Sequence, residues 1–330
     1  MNETLQQILS GLKLGTPQAF HNFTLFPLLD RGVEGVDYLT LGAALKLGLL
    51  SVVETSGGGS VPELKVVNRA EKPVLILDGE ELMGSKQNRV LNTTVLLKPS
   101  SETIIDVSCT EHGRWHYESA EFADSEVVMA RGIRAMKNRS VSESVRSMHQ
   151  YRSDQSGIWD KISELNAESG VHSETGAMRD AFVCREEELR RCEEVFTVVD
   201  GQTGFIFVVD GAVAGMDLVS RADAYAQLHG KLVRSYVIDS PLKAEATPRP
   251  VPEECVRSFL ALVLQCDESS HPSVGLGVDW RYEHREVAGS ALILDDICVH
   301  AAFFPTPPGE SASDPGMSGI RRRRGFLRTG

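Results

Sequence analysis

The 330-residue chain holds no pair of cysteines two residues apart and no glycine-rich phosphate loop. Nor has it a run of about 18 apolar residues. Each absence excludes something. Six cysteines lie scattered at 109, 184, 192, 255, 266 and 298. Without a C-x-x-C pair, thioredoxin-like chemistry and zinc ribbons drop out. Thiols in apolar contexts, in a chain too long to need staples, point to a reducing compartment. Without a long apolar run, no membrane-spanning helix is expected. The opening segment MNETLQQILSGLKLG lacks a basic start and a long apolar stretch, so no secretory leader is expected. The expectation is a soluble cytoplasmic protein. Gly275-x-Gly277 has no third glycine and lies on an expected strand, so the Rossmann fingerprint is missing. G-x-S-x-G and H-E-x-x-H are missing too.

The formal net charge is -12, and 42% of residues are hydrophobic, enough for one large core or two moderate ones. The last 25 residues run the other way, with five arginines against Glu310 and Asp314. An acidic body repels phosphate backbones, so nucleic acid is not an expected partner. A small anionic or nucleotide-like ligand is, because a local Arg/Lys pocket overrides the global field. No membrane partner is expected.

Leu5, Ile8, Leu9 and Leu12 have helical spacing, and Thr40 is placed to cap a short helix that Gly48 stops. Ser56 to Ser60 reads as a flexible turn. Leu64 to Val67 and Val74 to Leu77 read as strands, and Leu91, Thr93, Val95 and Leu97 as one face of another. Ile105, Val107 and Cys109 share a face of the next. Helices are expected from 124 to 195, with Ser125 as first N-cap. A third helix there carries Met178, Phe182, Leu189 and Cys192, capped by Ser173 or Thr175. Phe205 to Val209 and Val213 to Val219 form a hairpin on Asp210-Gly211. Two more helices follow, one capped by Ser220, the other over Glu253 to Leu264. Leu276, Val278, Trp280 and Tyr282 alternate with Gly277, Asp279, Arg281 and Glu283, as in a half-buried strand. Ile297 to Phe304 is the last. Strands and helices segregate, which predicts an α+β fold: antiparallel or mixed sheets with a helical insertion packed against them. One domain is expected over 1–304, its β-rich core at 50–122 and 200–304 and its insertion at 124–195. Residues 305–330 read as a disordered basic tail.

Two polar stretches carry the chemistry. From Gly79 to Arg89, polar and glycine residues link two apolar strands, more than a tight turn needs. Glu80 or Glu81 would serve as a general base or bind sugar hydroxyls. Lys86 and Arg89 would hold an anion, and Gln87 and Asn88 would meet a planar polar group. The plainer reading is a solvated connection. In the second stretch, Cys109 to His116, the ligand types Cys109, Glu111, His112 and His116 alternate between faces, so no metal is expected. Glu111 pairs more naturally with Arg114, and Trp115 serves as a packing wall or stacking surface. Cys109 reads as a buried thiol rather than a nucleophile. His300 shares an apolar strand face and reads as core or as a site member.

These stretches resemble an uncharacterised family named for its association with ADP-ribosylglycohydrolase and rhodanese-phosphatase proteins. The matching pieces are Gly79-Glu80-Glu81-Leu82 with Gly84, then Gln87-Asn88-Arg89, then Cys109-x-Glu111-x-Gly113-Arg114-Trp115. Trp159-Asp160 and Val299-His300 with Phe303 match more weakly. The resemblance runs over roughly 20 to 304; Lys86, His112 and the tail lie outside its pattern. It implies metabolism of NAD or ADP-ribose derivatives and transfers no catalytic residue or cofactor. The expected site therefore has Glu80 and Glu111 as catalytic carboxylates. Gln87, Asn88, Arg89, Arg114, Trp115 and His300 bind the substrate. The reaction expected is hydrolysis or group transfer; the alternative is a non-catalytic sensing or protein-interaction module.

Overall fold

The computed structural model describes residues 1–29, 36–55, 62–114, 119–243 and 250–307. The expected turn at Ser56 to Ser60 lies outside them, as does nearly all of the basic tail. Eight helices and three sheets are present among the described residues, an α+β fold.

The largest sheet is antiparallel throughout. Its order is Lys13–Leu14, Phe23–Leu29, Gln202–Val209, Ala212–Val219, Ile297–Pro305, Val287–Leu294, Val278–Glu283 and Asp267–Pro272. Gln18–Phe20 adds to the second of these strands. The Asp210-Gly211 turn closes the expected hairpin, with both residues at positive φ. This sheet is covered on both faces. Phe205 and Phe207 pack toward helix Ala222–Val237; Ile206 and Val208 pack toward helices Glu3–Ser10 and Glu253–Val263. That is why Phe205 to Val209 reads as an unbroken apolar run.

The second sheet runs Phe122–Val128, Glu80–Gly84, Arg89–Leu91, Ser101–Cys109, Glu63–Asn68 and Leu50–Glu54. The third joins Val95–Leu97, Val74–Ile76 and Leu39–Thr40. Helix Leu41–Lys46 starts where expected, with the Thr40 hydroxyl accepting from the Ala43 N–H.

Six expectations are corrected. Glu80–Gly84 is a strand, not part of a loop, because Leu82 needs the apolar core behind it. Leu91 and Val95 lie on different strands in different sheets, because Asn92, Thr93 and Thr94 bond to other parts of the chain. Ser125 caps nothing; it lies in strand Phe122–Val128, and the first helix of the 124–195 segment is Arg131–Met148, begun at Ala130. The helix expected through Met178 and Cys192 is two, Met178–Cys184 and Glu186–Val195, broken at Arg185. Ala177 and Arg221, not the expected hydroxyl residues, stand at the helix starts; the Ser173 hydroxyl instead receives the Ala177 N–H. Val278–Glu283 is covered on both faces rather than one: Tyr282 lies in the core, and Asp279 and Arg281 are buried on the other side, with only Val278 exposed. Their charges satisfy each other there. No helix among the described residues is long and apolar enough to cross a membrane.

Candidate functional site

Strand alternation sends Glu80 and Glu81 to opposite faces. Glu80 accepts from the Leu77 N–H and from Lys231 Nζ, each at 2.7 Å. Burial raises its carboxyl above the usual range, against the pull of Lys231. Lys231 also bonds Asp124 at 2.8 Å. Burial pulls this ammonium down, but Glu80 and Asp124 outweigh it and hold the group above its ordinary value. Lys231 and Asp124 line a cleft of about 560 Å³ between helices Leu41–Lys46, Glu186–Val195 and Ala222–Val237. Its cations all have carboxylate neighbours: Lys46 with Glu126, Lys231 with Asp124, Arg234 with Glu186 and Glu193.

Glu111, Arg114 and the 87–89 segment meet elsewhere. Strand Ser101–Cys109 ends beside the 173–177 loop, where the Gly113 N–H donates to the Thr175 carbonyl. Glu111 Oε1 accepts from the Thr175 hydroxyl at 2.9 Å. Its Oε2 accepts from Arg114 Nε at 2.8 Å and from the Asn88 N–H at 3.3 Å. Arg114 then reaches the Ser85 carbonyl at 2.9 Å and Asn88 Oδ1 at 3.0 Å. Gln87 Oε1 accepts from Arg89, and its amide faces the His112 carbonyl. Arg89 also touches Cys109 Sγ at 2.8 Å. Burial pushes the Cys109 thiol up to about 11, so it is protonated at neutral pH. Five expected site residues are thus one hydrogen-bonded group. All are buried, and both guanidinium groups are committed to protein partners. Their physical effect is to fix the backbone from Ser85 to Gly113.

Above this group opens a second cleft, of about 420 Å³, bordered by His112, Gly113, Trp159, Asp160, Glu174 and Thr175. The His112 and Trp159 rings meet edge to face, 4.4 Å between centroids. Asp160 and Glu174 stand exposed at the rim. Gly113 is small by need, since a β-carbon there would lie 3.1 Å from the Thr175 backbone. Trp115 lies outside the described residues. Among those described, no three His, Cys, Asp or Glu side chains gather to hold a metal ion.

Behind the second sheet, Glu81 accepts from the Thr110 hydroxyl at 2.6 Å, and its other oxygen has no hydrogen-bond partner. Burial raises its pKa to about 7, opposed by Thr110, Ser125 and Arg179.

His300 belongs to neither cleft. Nδ1 lies 2.7 Å from the Thr94 hydroxyl and Nε2 lies 3.2 Å from Asp217. Arg134 grips Asp217 with two hydrogen bonds, of 2.9 and 2.7 Å, and reaches Asp78 at 3.3 Å. Lys137 bonds Asp78 and the Leu91 carbonyl, and Tyr236 donates to Asp217. Burial lowers Lys137 to about 8 against the pull of Asp78. Burial raises Asp217, but Arg134 and His300 outweigh it and bring the carboxyl below its usual value. Every member is sealed from solvent.

A model of the ARG and Rhodanese-Phosphatase-superfamily-associated Protein domain, ARPP-1, matches residues 11–304. The chain belongs to the ARPP-1 family. No curated protein and no solved structure matches it significantly. In this ARPP-1 protein, Gly113, Trp159 and Asp160 border the second cleft, while Asn88, Glu111 and Arg114 bond to one another outside its lining. Glu80 and His300 lie apart from it. Sequence reasoning missed Arg134, Lys137 and Lys231. A signal existed for the first two: charges three residues apart on a helix whose Ile133 and Val141 are buried. Lys231 sits beside Leu232 on its helix and gave no comparable sign.

Proposed function

We propose that this protein binds a NAD- or ADP-ribose-type metabolite in the Trp159 cleft and processes it by hydrolysis or group transfer. The observation that carries the reading is a concavity bordered by the family-like residues Gly113, Trp159 and Asp160, with an indole wall and a carboxylate rim. The volume falls in the range of small-molecule sites. The indole offers a stacking surface for a planar ring. Asp160, Glu174 and Thr175 offer partners for ribose hydroxyls, and a rim carboxylate is placed to accept a proton from attacking water. The Glu111–Arg114 group holds the floor and touches no ligand itself. The family's association supports the metabolite class.

One observation favours binding without turnover. Glu111, the catalytic carboxylate expected from sequence, has both oxygens engaged by protein donors. The sensing reading predicts that ligand is recovered unchanged.

The test is a thermal shift with NAD and ADP-ribose at about millimolar concentration, followed by product analysis. A raised Tm is expected, and it should be smaller in an Asp160→Asn, Glu174→Gln double variant. No shift with either ligand rules the reading out.

A further inference from the structure

We infer that the Trp159 cleft selects a planar organic cation, of the N-alkylpyridinium class, in preference to a phosphate or a neutral ring. This rests on the reading that the cleft is the ligand site, and it specifies which end of the ligand enters.

The charge at the cleft has one sign. Asp160 and Glu174 border it, and no lysine or arginine does among the described residues. The nearest arginine in sequence, Arg114, is buried on Glu111 beneath the floor. Lys161, beside Asp160, turns to Glu164 at 2.6 Å. The segment that follows Arg114, outside the described residues, reads Trp115, His116, Tyr117 and Glu118. It contributes no lysine or arginine wherever it lies. An anion seated here would meet two carboxylates and no lysine or arginine, so charge disfavours it, though water weakens the repulsion at an exposed rim. A cation has the reverse balance.

The wall adds shape. An indole face is electron-rich and attracts a cation laid flat against it. Trp159 borders the cleft and meets His112 edge to face, so the indole is part of the lining that a flat ligand would meet. The hydroxyls of Ser156, Ser163 and Thr175 are on the same lining and suit a carboxamide or ribose attached to the ring. The Lys231 cleft is a contrast within the same molecule: it presents three cations and four carboxylates, already paired, and no aromatic ring. The oxidised nicotinamide end of a dinucleotide therefore enters the Trp159 cleft, with its phosphates outside.

Isothermal titration with 1-methylnicotinamide, nicotinamide and ADP-ribose tests this on the full chain. The cation should bind about tenfold more tightly than neutral nicotinamide. Trp159→Leu should remove most of that affinity and Trp159→Phe should keep part of it. The Asp160→Asn, Glu174→Gln pair should erase the preference for charge while the ring still binds. Each variant's melting curve confirms that it is folded. Equal affinity for the cation and the neutral ring overturns the inference. ADP-ribose binding without any 1-methylnicotinamide binding also overturns it, yet leaves the proposed function standing. Silence from all three ligands and from NAD removes both.

Discussion

Two regions of this molecule are rich in charge, and they do opposite things with it. At the centre, Asp78, Arg134, Lys137, Asp217 and His300 form a sealed network in which each charge faces an opposite or a hydrogen-bonding group. At the Trp159 cleft, Asp160 and Glu174 stand exposed, and no lysine or arginine among the described residues borders it. The first arrangement includes an acid, an imidazole and a hydroxyl in line, Asp217–His300–Thr94, at distances a catalyst would use. Yet it borders neither cleft, and the Thr94 hydroxyl also receives the Asp78 N–H. Geometry of the right kind without room for a substrate is architecture. The exposed region has weaker internal bonding and greater capacity to act on something outside itself.

The sharpest way to break this comparison is Arg134→Met. It leaves buried Asp217 without its main cation and Asp78 with Lys137 alone, so a loss of about 3–5 kcal/mol is expected in urea unfolding. A loss below about 1 kcal/mol would show that the centre is not held by its charges.

Glu81 lies in the sheet between the regions and sharpens the contrast through pH. Its folded pKa, about 7, exceeds its ordinary 4.5. A protonated Glu81 therefore favours the folded state, and that advantage disappears as pH rises from about 4.5 through about 7. Glu81→Gln should flatten this part of the stability–pH curve and be the more stable protein at pH 8, by up to about 3 kcal/mol. Parallel curves for the two proteins would contradict the assignment.

The smallest effect is expected at the rim. Asp160→Asn should change stability by no more than about 0.5 kcal/mol, while weakening ligand binding. A large stability loss there would make the rim structural and erase the distinction between the regions.

Much of the fold was legible because its signals are local. The Asp210-Gly211 hairpin, the Thr40 cap and the strand from Ile297 each depend on a few adjacent residues. The site was half legible. Glu111, Arg114 and Asn88 sit close in sequence to the turns that join them, and they meet as the residue types predict. Lys231 could not be placed, because its partners Glu80 and Asp124 come from distant chain and no periodicity encodes a tertiary meeting. Strand Val278–Glu283 shows the limit of pattern reading. Alternation says which residues share a side; only the buried pairing of Asp279 with Arg281 and Thr93 says that the polar side is covered as well as the side of Tyr282.

Asn92, Thr93 and Thr94 make three successive side-chain bonds: to the Tyr151 carbonyl, to Asp279 and to His300. The last partner lies 206 residues further along the chain. During synthesis, then, the segment around Thr94 must wait with this junction unmade until His300 has emerged from the ribosome. Late closure of this kind gives chaperones a long interval in which to act, and it predicts that truncation before residue 300 yields a protein whose two halves never lock.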